Sequence, residues 1–397
     1  MTGVFITGLG AVSHVAPSVP GLLTRLFAPR LPQVSTPDIG DAQIPIRRFA
    51  MMHADDRPSG PARHDGMPVG DSTRAALAAA REALEDAGVA SDGSRRIGVV
   101  LGSSNGDAYL VEQYRARGDQ LGIGRWVPTF AAASVVAGEI GARGPAISVS
   151  NACAGSGYAI AVGVGLIESG EADVVVAGGY ETFSRVAMGV FNQVGAVTPG
   201  ECIPFARDRA GTTLGEAAAT VVLERADLAR TRSARIYGEV AGQGWSCDAY
   251  HATGLDPDGG QLVRAMRDAM SSASIGPADL SVVVPHGTGT RANDSVEAAA
   301  MAVALRPHSA TIPVYSSKAL LGHTAGASGA LSVIAALTFL RRGVMAPNIP
   351  VGLLDPNVEL NIPTVETPLV GGAAMVNTYA FGGNNMSLVL KKVSDDA

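Results

Sequence analysis

The chain has 397 residues, which at roughly 150 residues per domain is room for two modest domains or one large α/β unit. Hydrophobic residues make up 47% and charged residues 17%, with 49 glycines, a profile that excludes a disordered chain. Lys and Arg total 30 against 36 Asp and Glu, and the resulting net charge of -6 argues against a broad footprint for nucleic acid.

The N-terminal run MTGVFITGLGAVSHVAPSVPGLL has no basic residue ahead of its apolar part and meets its first Arg at Arg25, so it reads as a first β-strand and not as a signal peptide. From Pro29 to Gly70 the chain is rich in Pro, Asp and Met with little period, and an ordered surface excursion is expected. A surface helix follows: Asp71-Ser72 supplies an N-cap, Leu77, Ala80, Leu84 and Ala87 fall at helical spacing, and Gly88 supplies the stop. Strand-like runs recur at Val4 to Thr7, Arg96 to Leu101, Ala146 to Val149, Asp173 to Ala177, Ala218 to Glu224 and Val282 to Val284, with helical segments between them. That alternation predicts an α/β layered fold.

Two uncharged stretches, Gly144 to Ile167 and Ala319 to Leu340 with His323 neutral, are long enough to raise a membrane span. Their Pro, Asn, Ser and Gly content instead predicts buried helices approached by tight turns, and no membrane association is expected. When Gly157 is laid on Gly329, CAGSGYAIAVGVGLI falls on AGASGALSVIAALTF. Both are small-residue turns running into helices apolar on nearly every face, which must be buried. The echo suggests a duplicated α/β half, with the charge cluster ERADLARTRSARIY as the boundary: residues 1–235 and 236–397. Cys153, Cys202 and Cys247 have neither the number for a disulfide framework nor metal-ligand spacing, so no metal site is expected and a reducing cytoplasm fits best. GSSNGD at Gly102 lacks the Lys-Ser/Thr of a nucleotide loop, and DPDGG at Asp256 lacks the other ligands of a calcium loop.

Four places can carry chemistry. Cys153 lies between a strand end near Val149 and a helix start, where unsatisfied backbone N–H groups would lower a thiol pKa and make a nucleophile; the other reading is a small buried hydrophobe. His286 stands just past the apolar run Val282 to Val284 on a turn with Gly287 and Gly289, the usual position of active-site groups in open sheets, or else is a core or surface His. His323 heads the second buried helix, where helix N–H groups disfavour its protonation and suit it to donate to an oxyanion. Lys318, five residues earlier among few charges, reads as a paired electrostatic Lys, and Phe381 precedes Gly382-Gly383, either a hinge or a plain hairpin turn.

The set NACAGSG, HGTGT, SSKALLGHTAGASGA and AFGGNN resembles the elongating Cys-His-His class of β-ketoacyl-acyl-carrier-protein synthases, in the thiolase superfamily. VFITGLGAV, RIGVVLGSS, ADVVVAGGYE and IPFARDRAGTTLGE extend the resemblance over nearly the whole chain. It implies a thiolase-like α/β fold, two duplicated halves layered αβαβα around two central buried helices. It also implies that Cys153 takes an acyl group from the phosphopantetheine of an acyl carrier protein. His286 and His323 would stabilise the enolate left when a malonyl thioester loses carbon dioxide, and Lys318 would tune His323 by its charge. Backbone N–H groups of Cys153 and Phe381 would form the oxyanion hole, Phe381 would gate the acyl side, Glu297 would order the local network, and Phe191 and Thr212 would border the acyl pocket. No bound cofactor is implied.

The chain departs from the family in places. Family members usually carry Phe after the Gly of the RDG turn and a GEG after it; here Thr212 follows Gly211, and Ala217 follows Gly215-Glu216. Asn151 stands where Thr is common, and the segment from Val197 to Cys202 is short. A reshaped pocket and an Ala/Gly/Arg-rich composition similar to proteins of high-GC bacteria favour type II polyketide synthesis over housekeeping fatty-acid elongation. Expected partners are an acyl carrier protein and a second subunit, either a copy of this chain or a chain-length-factor-like protein. A non-catalytic chain-length factor would lack the nucleophilic Cys, and a thiolase or starter-type synthase would replace one His by Asn or Cys.

Overall fold

The computed structural model describes residues 3–37, 44–116, 127–350 and 352–393. Nine strands form the main sheet: β1 (Val4–Ser13), β2 (Ile97–Gly102), β3 (Ala146–Val149), β4 (Val174–Glu181), β5 (Ala217–Arg225), β6 (Gly238–Cys247), β7 (Leu280–Val284), β8 (Ala373–Ala380) and β9 (Asn384–Lys391). The helices that matter here are α1 (Asp71–Ala87), α2 (Gly155–Glu168), α3 (Arg185–Gln193), α4 (Gly260–Ser272), α5 (Arg291–Ala304) and α6 (Ser328–Arg342). The strand order is β7-β8-β9-β6-β1-β5-β4-β2-β3.

That order contains one pattern twice. From the β3 edge, the first set runs third, second, fourth, fifth, first in chain order, with β3, β2 and β4 mutually parallel and β5 and β1 antiparallel. In the second set Val314 bridges Val283 in parallel and stands for the third strand, beside β7, β8, β9 and β6. Among the described residues, the two sets pair with each other at Phe5 with Glu239 and Ile6 with Gly238. Helix α1 covers the first set, α4 covers the second with α5 packed on it, and α2 and α6 lie between the sets and touch both. The result is the αβαβα layering.

Sequence and packing explain each layer. In α6 every residue from Ser328 to Leu340 is buried, as an all-apolar helix requires. Helix α2 is less enclosed than expected, because Tyr158, Val162 and Leu166 form a half-buried stripe on one side. The outer helices approach very closely: a Cβ on Gly10 would lie 1.9 Å from the Ala79 carbonyl oxygen of α1, and one on Gly244 would lie 2.0 Å from that of Ala265 in α4. These glycines make β6 read poorly as a strand in sequence, yet they are what lets helix and strand touch.

Two expectations need correction. Asp71 and Ser72 lie inside α1; its N-cap is Gly70, whose N–H donates to Asp107 Oδ2 (3.1 Å), while Asp71 binds Arg74. The internal repeat is also offset by one residue. The short 3₁₀ turns Ala152–Ala154 and Ala325–Ala327 correspond, as do the starts of α2 and α6 at Gly155 and Ser328, giving a spacing of 173 (325 − 152 and 328 − 155) in place of 172. Ala152 and Ala325 share positive φ values of 43° and 39°. Residues 38–43 of the expected excursion lie outside the described residues. Among the described residues, no helix is long and apolar enough to cross a membrane.

Candidate active site

The duplicated turns bring the chemistry together. Strand β3 leads into the Ala152–Ala154 turn, which holds Cys153 buried at the head of α2. The matching approach to α6 holds His323, whose Nε2 lies 3.0 Å from Cys153 Sγ. The His323 main chain is fixed at both ends, its N–H donating to Thr213 O (2.6 Å) and its carbonyl accepting from Gly215 N (3.1 Å). His286 follows β7 directly, and its ring meets that of His323 edge to face, with centroids 5.5 Å apart.

One carboxylate and one ammonium hold His286 in place. Glu297, on α5, accepts from His286 N and Gly287 N, both at 2.7 Å, and from Asn293 Nδ2 at 3.2 Å. Lys318 Nζ donates to the His286 carbonyl and lies 3.5 Å from His286 Nδ1. An ammonium has only protons to offer, so Nδ1 accepts and the imidazole proton sits on Nε2. His323 Nδ1 lies 3.3 Å from Ser328 Oγ, which also contacts Thr324 Oγ1 (3.1 Å). Because a hydroxyl can accept or donate, His323 is able to carry its proton on either nitrogen.

Burial sets the protonation states. It pushes the Cys153 thiol up to about 12, against a smaller downward pull from Lys318. The depressed thiol expected from the helix start is therefore absent: desolvation outweighs the helix N-terminus, and the resting group is a neutral thiol. Burial and then the Lys318 charge hold His286 and His323 well below 6.5, so both rings are neutral. Glu297 is raised to about 7 by burial, with its two backbone donors pulling the other way. Lys318 acts on His323 through its charge, and it also touches His286.

A cavity of about 480 Å³ opens onto Cys153, His286 and His323. Phe191, on α3, and Phe381, in the turn after β8, stack on its wall with centroids 5.4 Å apart, and Phe191 lies 5.8 Å from the His323 ring. Thr212 lines the same cavity, but between the two histidine-bearing segments, its Oγ1 3.7 Å from Cys202 Sγ. All the side chains singled out in the sequence thus converge on one place, Glu297 and Lys318 from behind the histidines.

Other contributors were not picked out. Glu181, at the end of β4, accepts from Ser103 Oγ, Ser104 N, Asn105 N and Gly326 N, tying the first set of strands to the turn before α6. The GSSNGD amides that a phosphate would need are thereby occupied. Asp294 accepts from Thr288 N and Gly289 N, shaping the loop after His286, and also from Phe205 N. In DPDGG, Asp256 Oδ1 accepts from Asp258 N and the Asp256 carbonyl accepts from Gly259 N, a turn that leads into α4. Among the described residues, no group of three His, Cys, Asp or Glu side chains is placed to hold a metal ion.

Residues 51–229 match the family described as Beta-ketoacyl synthase, N-terminal domain, and residues 237–352 match Beta-ketoacyl synthase, C-terminal domain. The chain therefore belongs to the beta-ketoacyl synthase family, and it is a condensing acyltransferase. It is 33% identical over 330 residues to Nodulation protein E of Rhizobium sp. (strain N33), covering 80% of this chain and 81% of that one. It is 34% identical over 346 residues to the tetracenomycin polyketide synthase ketoacyl synthase alpha subunit of Streptomyces glaucescens, covering 81% of each. Among solved structures, the ishigamide ketosynthase/chain length factor matches with a TM-score of 0.88 at 31% identity, over 99% of this chain and 100% of that one.

Proposed function

We propose that this chain is the catalytic ketosynthase of a type II polyketide system, extending an acyl chain held on Cys153 by two carbons per turn. The observation that carries this reading is Cys153 Sγ 3.0 Å from His323 Nε2, in a cavity that His286 also lines. A chain-length factor has no use for that pair. The polyketide assignment draws on the tetracenomycin and ishigamide relatives and on Thr212.

The steps follow from the protonation states. A carrier-bound acyl thioester enters, and His323 Nε2 takes the thiol proton as Sγ attacks the carbonyl carbon. The C–S bond to the carrier breaks, and the proton passes to the departing pantetheine thiolate. His323 is then again the Nδ1–H tautomer; it releases that proton to solvent and takes one on Nε2 while the Ser328 hydroxyl turns to donate to Nδ1, and it joins His286 Nε2–H in facing the thioester oxygen of an incoming malonyl group. The carboxylate leaves as carbon dioxide, and its bonding pair becomes an enolate that the two N–H groups stabilise. The α-carbon attacks the Cys153 thioester, with the backbone N–H groups of Cys153 and Phe381 as oxyanion hole and Phe381 as gate. Collapse expels the Cys153 thiolate, which takes one proton from solvent. Neutral imidazoles suit this sequence, because an imidazolium has lost its accepting lone pair and cannot take the thiol proton.

No cofactor is required, since both substrates ride on the phosphopantetheine of an acyl carrier protein. The halves divide at residues 1–235 and 236–397. A second subunit, a copy of this chain or a chain-length-factor-like protein, pairs along β3, which ends the sheet beside the half-buried stripe of Tyr158, Val162 and Leu166. A cytoplasmic location fits these partners. Reconstitution with carrier-bound saturated and polyketide primers tests the reading, and equal preference for ordinary saturated chains would count against the polyketide assignment.

A further inference from the structure

We infer that Arg291 binds the phosphate of the carrier's arm, as an anchor at the mouth of the cavity whose floor holds Cys153 and the two histidines. The inference rests on the condensation reading. One short stretch of chain runs from the floor of the cavity to its mouth. His286 and Thr288 are buried, Thr290 is half-buried, Arg291 and Ala292 are exposed, and all five line the cavity. Partway along, Thr288 Oγ1 and Thr290 Oγ1 contact each other at 2.8 Å. The five residues from His286 to Arg291 span at most roughly 17 Å even when extended. An arm whose thioester sits at the histidines lies along this stretch, and its phosphate comes out where Arg291 stands.

The charge at the mouth is unmatched. Among the described residues, the cavity wall holds no Asp or Glu, and Arg291 is its single Arg or Lys. Arg291 Nε donates to the carbonyl of Arg209 (3.4 Å). Among the described residues, its two Nη groups have no partner, and no carboxylate lies within salt-bridge range of it. Arg209 is the contrast: it is buried, and its guanidinium donates to Asp355 Oδ2 and Ser295 Oγ, both at 2.7 Å. Arg209 also donates to the carbonyls of Thr290 and Arg291, both at 3.4 Å, so one arginine holds the backbone from which the other projects. The chain as a whole carries a net charge of -6, which repels an anionic arm. A guanidinium fork held at the one opening the arm must enter offsets that repulsion locally, and its geometry suits two phosphate oxygens at once.

Arg291 takes part in no bond-making step. It binds a phosphodiester common to the acyl and malonyl carriers, so it acts on loading and on condensation alike. The test follows Cys153 acylation by intact mass, with one acyl group carried either on pantetheine or on its terminal methyl phosphodiester, which has the single negative charge of the carrier linkage. In the native chain the phosphodiester is expected to react about fivefold faster per unit concentration, the upper end of what an exposed charge pair contributes. Arg291→Gln should cut that ratio by at least half, and Arg291→Glu should cut it further. A variant that folds poorly slows both thioesters together and leaves the ratio readable. A native ratio under about twofold, or either variant keeping more than half of the native ratio, overturns the inference and leaves the condensation reading standing. Failure of both thioesters to load Cys153 would strike the condensation reading and this inference with it.

Discussion

Lys318→Met separates charge from packing at the centre of the site. Lys318 is 2% exposed and donates to the His286 carbonyl, with Nδ1 of the same ring 3.5 Å away. Losing this contact removes the donor that keeps the His286 proton on Nε2, where the enolate needs it. A hydrogen bond to a charged group is worth about 1.5–3 kcal/mol, which at ~1.4 kcal/mol per decade is a loss of roughly 10- to 150-fold in decarboxylation rate. Acylation of Cys153, which depends on His323 Nε2, should fall less. The same substitution removes the charge that depresses both histidines, so the acid limb of the pH–rate profile should move toward higher pH. It also removes a charge that helps keep Glu297 ionised; adding Glu297→Gln should recover stability but not rate. Carbon dioxide release and Cys153 acylation are measured separately, the second by intact mass. A decarboxylation rate within twofold of native, or an equal loss in both half-reactions, would refute the assignment of Lys318 to His286.

Three further outcomes are expected. Alkylation of Cys153 by iodoacetamide should keep rising with pH through 7 to 9 without a plateau, because burial holds the thiol near 12; a plateau near neutrality would mean a standing thiolate. His14, buried and held down at about 4 from 6.5, contributes stability that is complete above pH 6.5 and lost as pH falls to 4. That is about 3 kcal/mol, and His14→Gln should shrink the acid-induced fall in unfolding free energy, read by chemical denaturation, by that amount. Gly10→Val should cost at least ~3 kcal/mol in chemical denaturation, since its Cβ would lie 1.9 Å from a backbone oxygen that no side-chain rotation can clear.

The first set of strands was legible because Val-rich runs such as Val174 to Ala177 need no tertiary context to be read. Strand β6 was not, because Gly242 and Gly244 lower strand propensity for the sake of a helix that only the fold brings near. Cys153, His286, His323 and Phe381 stood out because each sits on a glycine-rich turn at the end of an apolar run. Glu181, Asp294 and Ser328 did not, since their partners are backbone amides and a ring nitrogen that sequence spacing does not identify. The Cys153 pKa was misjudged for the same reason: the helix start is local and visible, whereas the burial that outweighs it is assembled from both halves. The repeat was aligned on a shared glycine, while the structure aligns on the positive φ of Ala152 and Ala325, one residue away.

The most direct measurement is intact-mass spectrometry of the native chain and Cys153→Ala, each incubated with a panel of acyl-carrier-protein thioesters and then with malonyl-carrier protein. An acyl adduct on the native chain alone, discharged by malonyl-carrier protein into a product two carbons longer, is the expected result. An adduct that persists in Cys153→Ala, or one that malonyl-carrier protein does not discharge even with a co-expressed partner subunit, would contradict the account.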